Sequence, residues 1–447
     1  MAVNGSDSFE QIPGGLTLEQ AFDEANRCLL CHDPPCSRGC PGGTDPGTFL
    51  RKLRMRNVQG AFRTIRQNNV LGGACGVLCP TEQLCEKECS ASGIDRPIRI
   101  ARIQRALVEH GWRLGYPVVE HQPAARTERV AVVGSGPAGL ACAAELARQG
   151  FPVTVFEARE KPGGVLAYGV PSYRLSPDFL ARELQDLAML GVQIRCSSPI
   201  AGPDAATALL QQGFAALFLA PGCWEPLRLL PVQKPLLGLL TATEFLAGLR
   251  EASSFGASRK LCAGAEVAVL GGGSVAIDCA EAARRLGARD VYLVYRRSYV
   301  QMPAQQEERL SALEHGIHFL LLQQPVDYVD DGSGRLSGVK LVRTRLGPPD
   351  SSGRRKPVEV PGSEWRLGVQ VAIEALGSQP EAASPSWYSA VQLADGRRIA
   401  VDPQSGETSV EGVYAGGDIV RGPALVIQAV KDGKAAARAI AARLPRP

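Results

Sequence analysis

No uninterrupted apolar run in the 447 residues approaches the length needed to cross a bilayer, and the opening MAVNGSDSFEQIPGG carries neither a basic nor an apolar leader segment. A membrane-spanning or exported protein is therefore not expected. A soluble cytoplasmic one is, and there thiols stay reduced, so disulfides are the weakest use for any cysteine. An excess of one charge sign is also missing: the net charge of +4 singles out no nucleic acid or membrane as partner. The one basic stretch, Arg51 to Gln67, spreads its arginines around helical faces and reads as a solvated helix or a docking face for another protein. Short-period repeats are lacking. Beyond residue 89 only Cys142, Cys196, Cys223, Cys262 and Cys279 remain, and no two of them form a Cys-x-x-Cys pair. That excludes a reactive dithiol in this part of the chain and leaves these five as buried small hydrophobes.

The other eight of the 13 cysteines crowd into two short runs, CLLCHDPPCSRGC from Cys28 to Cys40 and CGVLCPTEQLCEKEC from Cys75 to Cys89. Around them, residues 1 to about 115 read as short helices over Leu16 to Leu30, Pro46 to Asn69 and Pro97 to Trp112. A polar, proline-bearing connector, GYPVVEHQPAARTER, separates this region from Val-rich strands alternating with Ala-rich helices, the pattern of parallel α/β units. The length suits roughly three domains. Late in the chain, Gly347 to Glu364 reads as a loop.

In RVAVVGSGPAGLACAAELARQGFPVTVFEARE an apolar strand turns on Gly134, Gly136 and Gly139 into a helix and returns as a strand ending at Glu157. Gly134 permits the tight turn, Gly136 lets backbone approach a pyrophosphate, Gly139 lets helix meet strand, and Glu157 can accept from ribose hydroxyls. The layout recurs in EVAVLGGGSVAIDCAEAARRLGARDVYLVYRRS with Gly271, Gly273 and Ala276, but the second strand ends in Arg296 and Arg297. A guanidinium suits the 2′-phosphate of NADPH, an acid the free hydroxyl of NADH, so NADPH is favoured with NADH open; the bland alternative is that both arginines are solvated. Near the end, GVYAGGDIVRGPALVIQAVKDGKAAARAI delivers Gly416, Gly417 and Asp418 to a helix start, where a carboxylate can bind ribityl hydroxyls.

These segments together resemble the two-dinucleotide-domain flavoproteins, which hold FAD and NAD(P)H separately. The resemblance implies an α/β fold of two dinucleotide-binding, Rossmann-like domains of the FAD/NAD(P)H type, preceded by an α-helical iron–sulfur domain. The divisions expected are 1–115 for the iron–sulfur domain, 127–245 and 373–447 for the FAD domain, and 246–372 for the NADPH domain. LFLAPG at Leu217 to Gly222 and IEALGSQP at Ile373 to Pro380, with Gly377, would be the two crossings.

The run from Cys28 to Cys40 is closed by Pro41, and Cys79 is likewise followed by Pro80; tight runs ending in Cys-Pro belong to iron–sulfur proteins, whereas zinc favours paired Cys-x-x-Cys units across a loop. Two [4Fe–4S] clusters are expected, with structural zinc as the rival. The segments EANRCLLCHDPPCSRGCPGGTDPGTFLRKL, NNVLGGACGVLCPTEQLCEKEC and DRPIRIARIQRA are similar to the amino-terminal half of dihydropyrimidine dehydrogenase and its bacterial NAD(P)H-oxidising small subunit. Less closely, they resemble the small subunit of NADPH-dependent glutamate synthase. The resemblance implies that Cys28, Cys31, Cys36 and Cys89 bind one cluster, and Cys40, Cys79, Cys85 and Gln104 the other; counting thiols alone would put Cys75 in place of Gln104. It further implies FAD contacts from Leu78, Glu157, Gly164, Leu166, Arg174, Gly417 and Asp418, and NADPH contacts from Gly273, Ser274, Arg296 and Arg297. Ser274, where the family usually has Asn or Asp, and Pro221, where it often has Thr, depart from the pattern.

The function so implied is electron input. NADPH reduces FAD, clusters relay single electrons, and a catalytic partner subunit in a hetero-oligomer receives them. No protein side chain is a catalytic acid or base, because hydride transfer occurs at bound FAD. Uracil or thymine reduction by a dihydropyrimidine dehydrogenase is the first expectation, and glutamate formation by a glutamate synthase the alternative. A stand-alone NADPH oxidoreductase and a zinc-bound, nucleotide-sensing scaffold are the remaining rivals.

Overall fold

The computed structural model describes residues 15–118, 126–230, 236–250, 252–349 and 353–444. Part of the connector and of the late loop lie outside the described residues.

The amino-terminal region is helical because each helix has a local start signal. α1 (Leu18–Asn26) opens with a capping box in which Gln20 N–H donates to Thr17 Oγ1 and Thr17 N–H to Gln20 Oε1. α2 (Pro35–Arg38) is a single proline-started turn carrying Cys36. The span Pro46 to Asn69, expected as one helix, is two: α3 (Pro46–Arg54) and α4 (Val58–Asn68). The break is at Arg56, held in a left-handed conformation with φ 62°, after which the Asn57 side chain caps α4 through Gly60 N–H at 2.8 Å. α5 (Gly72–Leu78), which the sequence pattern does not announce, carries Cys75 and ends at Cys79, and α6 (Ile100–Arg113) carries Gln104. Expected boundaries at Leu16–Leu30 and Pro97–Trp112 shrink or shift accordingly. These helices close their own core of Phe49, Leu50, Leu53, Ile65, Ile103 and Leu107.

The chain folds into two compact units. The helical region belongs with a parallel five-stranded sheet whose order is Val413–Ala415, Ala216–Leu219, Val130–Val133, Val153–Phe156, Gln193–Arg195. The tail strand Val413–Ala415 thus joins a sheet begun far earlier in the chain, with Val413 opposite Leu217. α7 (Pro137–Ala147) follows the central strand and packs on the C-terminal helix Val426–Arg443. α8 (Pro177–Met189) starts at Ser176, whose hydroxyl accepts from Phe179 N–H.

The other unit, mainly Pro226–Ser378, repeats the plan: Leu239–Thr241, Val371–Glu374, Glu266–Leu270, Asp290–Tyr295, His318–Leu321, all parallel. Because Leu239–Thr241 pairs with Val371–Glu374, this unit starts well before residue 246 and runs past residue 372. It also carries an antiparallel sheet of Gln323–Asp330, Leu336–Pro349 and Arg355–Glu359, with Trp365–Leu367 on the second strand. The stretch from Gly347 to Glu364, expected as a loop, therefore contributes strand to a hairpin, closed where Pro349 faces Arg355. Among the described residues no helix is long and apolar enough to cross a membrane.

Candidate metal centres and dinucleotide sites

The eight amino-terminal cysteines sort into two cavities. The first is lined by Cys28, Cys31, Cys36 and Cys89. The second is lined by Cys40, Cys75, Cys79, Cys85 and Gln104, and by Ile427 of the C-terminal helix. All thirteen thiols are free, so no disulfide competes for them. Among the described residues no three His, Cys, Asp or Glu side chains converge on a single metal-ion position. Thiols spread around the walls of each cavity, rather than gathered on one point, fit a cube of iron and sulfide better than one tetrahedral zinc.

Backbone and side chains hold the sulfurs from outside. Leu30 sits at φ 53°, an uncommon conformation for leucine, and its N–H points to the Cys28 sulfur. Arg54 and Arg51 donate to the carbonyl oxygens of Cys28 and Cys31 at 2.6 and 3.1 Å, fixing the CLLC turn. Thr44 N–H donates to Cys40 Sγ at 3.4 Å and Ile98 N–H to Cys89 Sγ at 3.5 Å. Burial and neighbouring thiols push Cys36 up to about 12, and the same two causes push Cys85 up. Cys79 is raised first by its hydrogen bond with Cys75, then by burial. As free thiols these groups hold their protons, and metal must displace them.

Gln104 and Cys75 both reach the second cavity, as the two readings of its fourth ligand require. Gln104 Nε2 donates to Gly72 O at 2.5 Å, so Oε1 is the atom left to coordinate. Cys75 Sγ accepts from Asn69 Nδ2 at 3.3 Å and is almost fully buried.

Sequence reasoning missed the ion network behind this cavity. Arg66, 0% exposed, donates to Glu183 Oε1 at 2.6 Å and to Asp186 of α8; Trp112 Nε1 also donates to Asp186 Oδ2, at 3.0 Å. Glu183 accepts from Gly73 and Ala74 N–H at 2.8 and 3.1 Å, capping α5. From the C-terminal helix, Lys434 Nζ donates to Gly42 O at 2.7 Å and to Asn68 O. The Arg51 to Gln67 stretch is thus only partly a solvated face: Arg51 and Arg54 fasten the cysteine turn, and Arg66 binds the helical region to α8. The only sequence signal was the density of arginine.

At the first glycine turn, Gly134 has φ 98°, and a Cβ there would meet Ala220 O at 2.3 Å. A Cβ on Gly139 would lie 2.0 Å from Gly134 O, whereas Gly136 faces open space, the surface a pyrophosphate needs. Gly164 packs on Gly136, and Gly163 N–H donates to Ser135 Oγ. Glu157, 7% exposed, accepts from Ser135 N–H at 3.1 Å, from the Ser135 hydroxyl and from Arg159 N–H at 2.8 Å. Glu157 therefore braces the turn. Leu166 is buried, Arg174 half-buried, and Leu78 closes α5. Gly417, at φ 78°, donates its N–H to Asp432 Oδ2 at 3.0 Å, and Asp418 is pushed up to about 6 by burial, with Asp432 adding to it. Hydroxyl donors on a bound ligand would favour its charged form.

At the second turn, a Cβ on Gly271 would meet Ala375 O at 2.4 Å and Gly273 is open, while Ala276 is fully buried where helix meets strand. Ser274 donates its hydroxyl to Glu308 Oε2 at 2.7 Å. Arg296 is exposed, but Arg297 is buried with Nε donating to Arg355 O at 2.8 Å, which corrects the alternative that both are solvated. Gly377 has φ 108°. Of the five isolated cysteines Cys142, Cys262 and Cys279 are buried as expected; Cys196 and Cys223 are half-exposed, and Cys223 donates to Asp418 O at 3.3 Å.

Two Rossmann-like folds, each with a glycine turn open to a pyrophosphate, and two thiol-lined cavities define an iron–sulfur flavoprotein of the FAD/NAD(P)H type. Residues 5–115 match the family described as dihydropyrimidine dehydrogenase domain II, 4Fe-4S cluster, and residues 128–433 match pyridine nucleotide-disulphide oxidoreductase. The chain belongs to the pyridine nucleotide-disulphide oxidoreductase family and carries this 4Fe-4S domain at its amino-terminal end. It is an NAD(P)H-dependent oxidoreductase that uses FAD and iron–sulfur clusters.

Among its relatives, the NAD-dependent dihydropyrimidine dehydrogenase subunit PreT of Escherichia coli K12 is 33% identical, covering 96% of each chain. The glutamate synthase [NADPH] small chain of the same organism is 33% identical over 94% of this chain and 91% of its own. The NADP(+)-dependent formate dehydrogenase subunit beta of Moorella thermoacetica is 35% identical, and this chain spans 59% of its length. Similar solved structures include Mycobacterium tuberculosis FprA in complex with NADPH, with a TM-score of 0.59, 18% identity, and coverage of 71% of this chain and 84% of that one. At that identity the likeness shows the fold.

Proposed function

We propose that this chain is the electron-input subunit of a larger enzyme, oxidising NADPH and delivering single electrons to a catalytic partner. The observation that carries the reading is the second thiol cavity, whose wall includes Ile427 of the helix that follows Asp418. A cluster site and the proposed flavin site thus draw on adjoining segments of the chain, Val426–Arg443 and Asp418–Arg421, within one compact unit. When bound, the flavin accepts hydride and the clusters divide the electron pair.

The chain's own residues do the rest. Cys28, Cys31, Cys36 and Cys89 hold one cluster; Cys40, Cys79, Cys85 and Gln104 hold the other. Gly134, Gly136, Gly139, Gly164, Leu166, Arg174, Leu78, Gly417 and Asp418 seat FAD, with Glu157 on its ribose. Gly271, Gly273, Ser274, Ala276 and Arg296 seat NADPH, and Gly377 marks the crossing back. The backbone N–H groups of Leu30, Thr44 and Ile98 donate to the sulfurs of Cys28, Cys40 and Cys89, which would favour the reduced form of a bound cluster.

The partner is the catalytic subunit of a dihydropyrimidine dehydrogenase, a reading supported by the match to PreT over nearly all of both chains. The large subunit of a glutamate synthase is the alternative, supported by the similar match to its small chain. Relatives named for NAD, NADP(+) and NADPH do not decide the nucleotide; Arg296 favours NADPH. Purification from the native host under anaerobic conditions is expected to yield a second chain that reduces uracil or thymine with NADPH. Recovery of this chain alone, or with a partner consuming glutamine and 2-oxoglutarate, would remove the pyrimidine assignment.

A further inference from the structure

The hairpin inserted into the nucleotide-binding unit is stitched to the end of the strand that carries Arg296. Thr344 Oγ1 donates to Arg296 O at 2.9 Å, Thr344 N–H to Leu322 O at 2.8 Å, and Leu322 N–H to Arg297 O at 3.1 Å. The buried Arg297 side chain adds the bond to Arg355 O. Arg355 in turn spends its guanidinium on the hairpin itself, with Nε donating to Gly347 O at 2.9 Å and Nη2 to Leu346 O at 2.8 Å. Two consecutive arginines on each side thus divide their work. Arg297 and Arg355 make the structural bond, and Arg296 and Arg354, each one residue before an end of it, are exposed.

Resting on the reading of this unit as the NADPH site, we propose that Arg354 joins Arg296 in a two-guanidinium clamp on the 2′-phosphate, and that Arg297 positions Arg354 rather than touching the nucleotide. The chemistry is that of a phosphate monoester, a dianion with three acceptor oxygens that guanidinium groups meet bidentately. In the molecule without nucleotide the two cations oppose each other: partial burial, then the charges of Arg297 and Arg354, hold Arg296 below its usual range. A bound dianion removes that repulsion. The sequence places Arg354 far from the glycine fingerprint, and the bond from Arg297 Nε to Arg355 O brings its neighbour to the end of the parallel strand.

Calorimetric titration of the full-length holoprotein with 2′,5′-ADP and with 5′-AMP tests this apart from turnover. Arg354→Ala is expected to weaken 2′,5′-ADP by about tenfold or more, the scale of a hydrogen bond to a charged group, while changing the 5′-AMP affinity much less. Arg354→Lys should recover part of the loss. Arg297→Met should reproduce it by releasing the Arg355 carbonyl. If Arg296→Ala weakens 2′,5′-ADP selectively and Arg354→Ala does not, the clamp is wrong and the NADPH reading stands. If the unmodified protein binds 2′,5′-ADP no more tightly than 5′-AMP, that reading fails and the clamp with it.

Discussion

An Arg66→Met variant is expected to lose about 3–5 kcal/mol of unfolding free energy and to shed iron before it sheds flavin. Arg66 is fully buried between two carboxylates, Glu183 and Asp186, and removing it leaves two acids in a medium that cannot solvate them. Burial already holds Glu183 above the usual carboxylate range with the arginine in place. Without it, Glu183 takes up a proton and one of its oxygens becomes a donor. The carboxyl group then caps Gly73 and Ala74 less well. α5 carries Cys75 and ends at Cys79, so iron loss should follow local loosening there. Arg66→Lys should fall between, because an ammonium keeps the charge but cannot span two carboxylates in a fixed fork. Urea unfolding followed by tryptophan fluorescence, with iron measured across the transition, checks both statements. A loss under about 1 kcal/mol would mean that the network is not what joins the helical region to α8.

A Cys85→Ala variant is expected to carry about four irons per chain instead of about eight, as expected for two [4Fe–4S] clusters reduced to one. Cys36→Ala should show the same stoichiometry but keep the opposite cluster, because the two residues line different cavities. The more informative pair is Gln104→Ala and Cys75→Ala. Gln104 has its amide nitrogen committed to Gly72 O and an oxygen to spare. Cys75 already accepts from Asn69 and is hydrogen-bonded with Cys79. Gln104→Ala should therefore lose the second cluster and Cys75→Ala keep it, with altered paramagnetic parameters. Iron and sulfide analysis with low-temperature spectra of the dithionite-reduced proteins decides it. The reverse pattern would transfer the ligand role to Cys75.

How much of this was legible beforehand depends on the range of the interaction. The glycine turns follow a rule of consecutive residues, and Gly134, Gly139 and Gly271 stand where a side chain would strike backbone oxygen. The two parallel sheets were legible as well, since short Val-rich strands buried on both faces show as apolar runs, as in Val130–Val133 and Glu266–Leu270. The sorting of eight thiols into two cavities came by resemblance, because Cys89 and Cys40 cross between the two runs and spacing alone does not pair them. Arg66 was not legible. Its partners lie on α8, and in sequence it is one of two arginines on an amphipathic helix. The break at Arg56 escaped for a different reason: the apolar period continues through it, and only a left-handed residue followed by an Asn cap interrupts the helix. The hairpin around Gly347 was hidden by its glycine, proline and serine content, which masks strands whose stability comes from cross-strand pairing.

The proposed route takes reducing equivalents in as hydride and out through iron held by these cysteines. Anaerobic addition of NADPH to the reconstituted protein, followed by rapid freezing and low-temperature electron paramagnetic resonance, tests it most directly. Bleaching of the flavin absorbance together with a reduced-cluster signal whose second-cluster component is lost in Cys85→Ala is the result predicted. Bleaching with no cluster signal, in material shown to contain iron and sulfide, would contradict it.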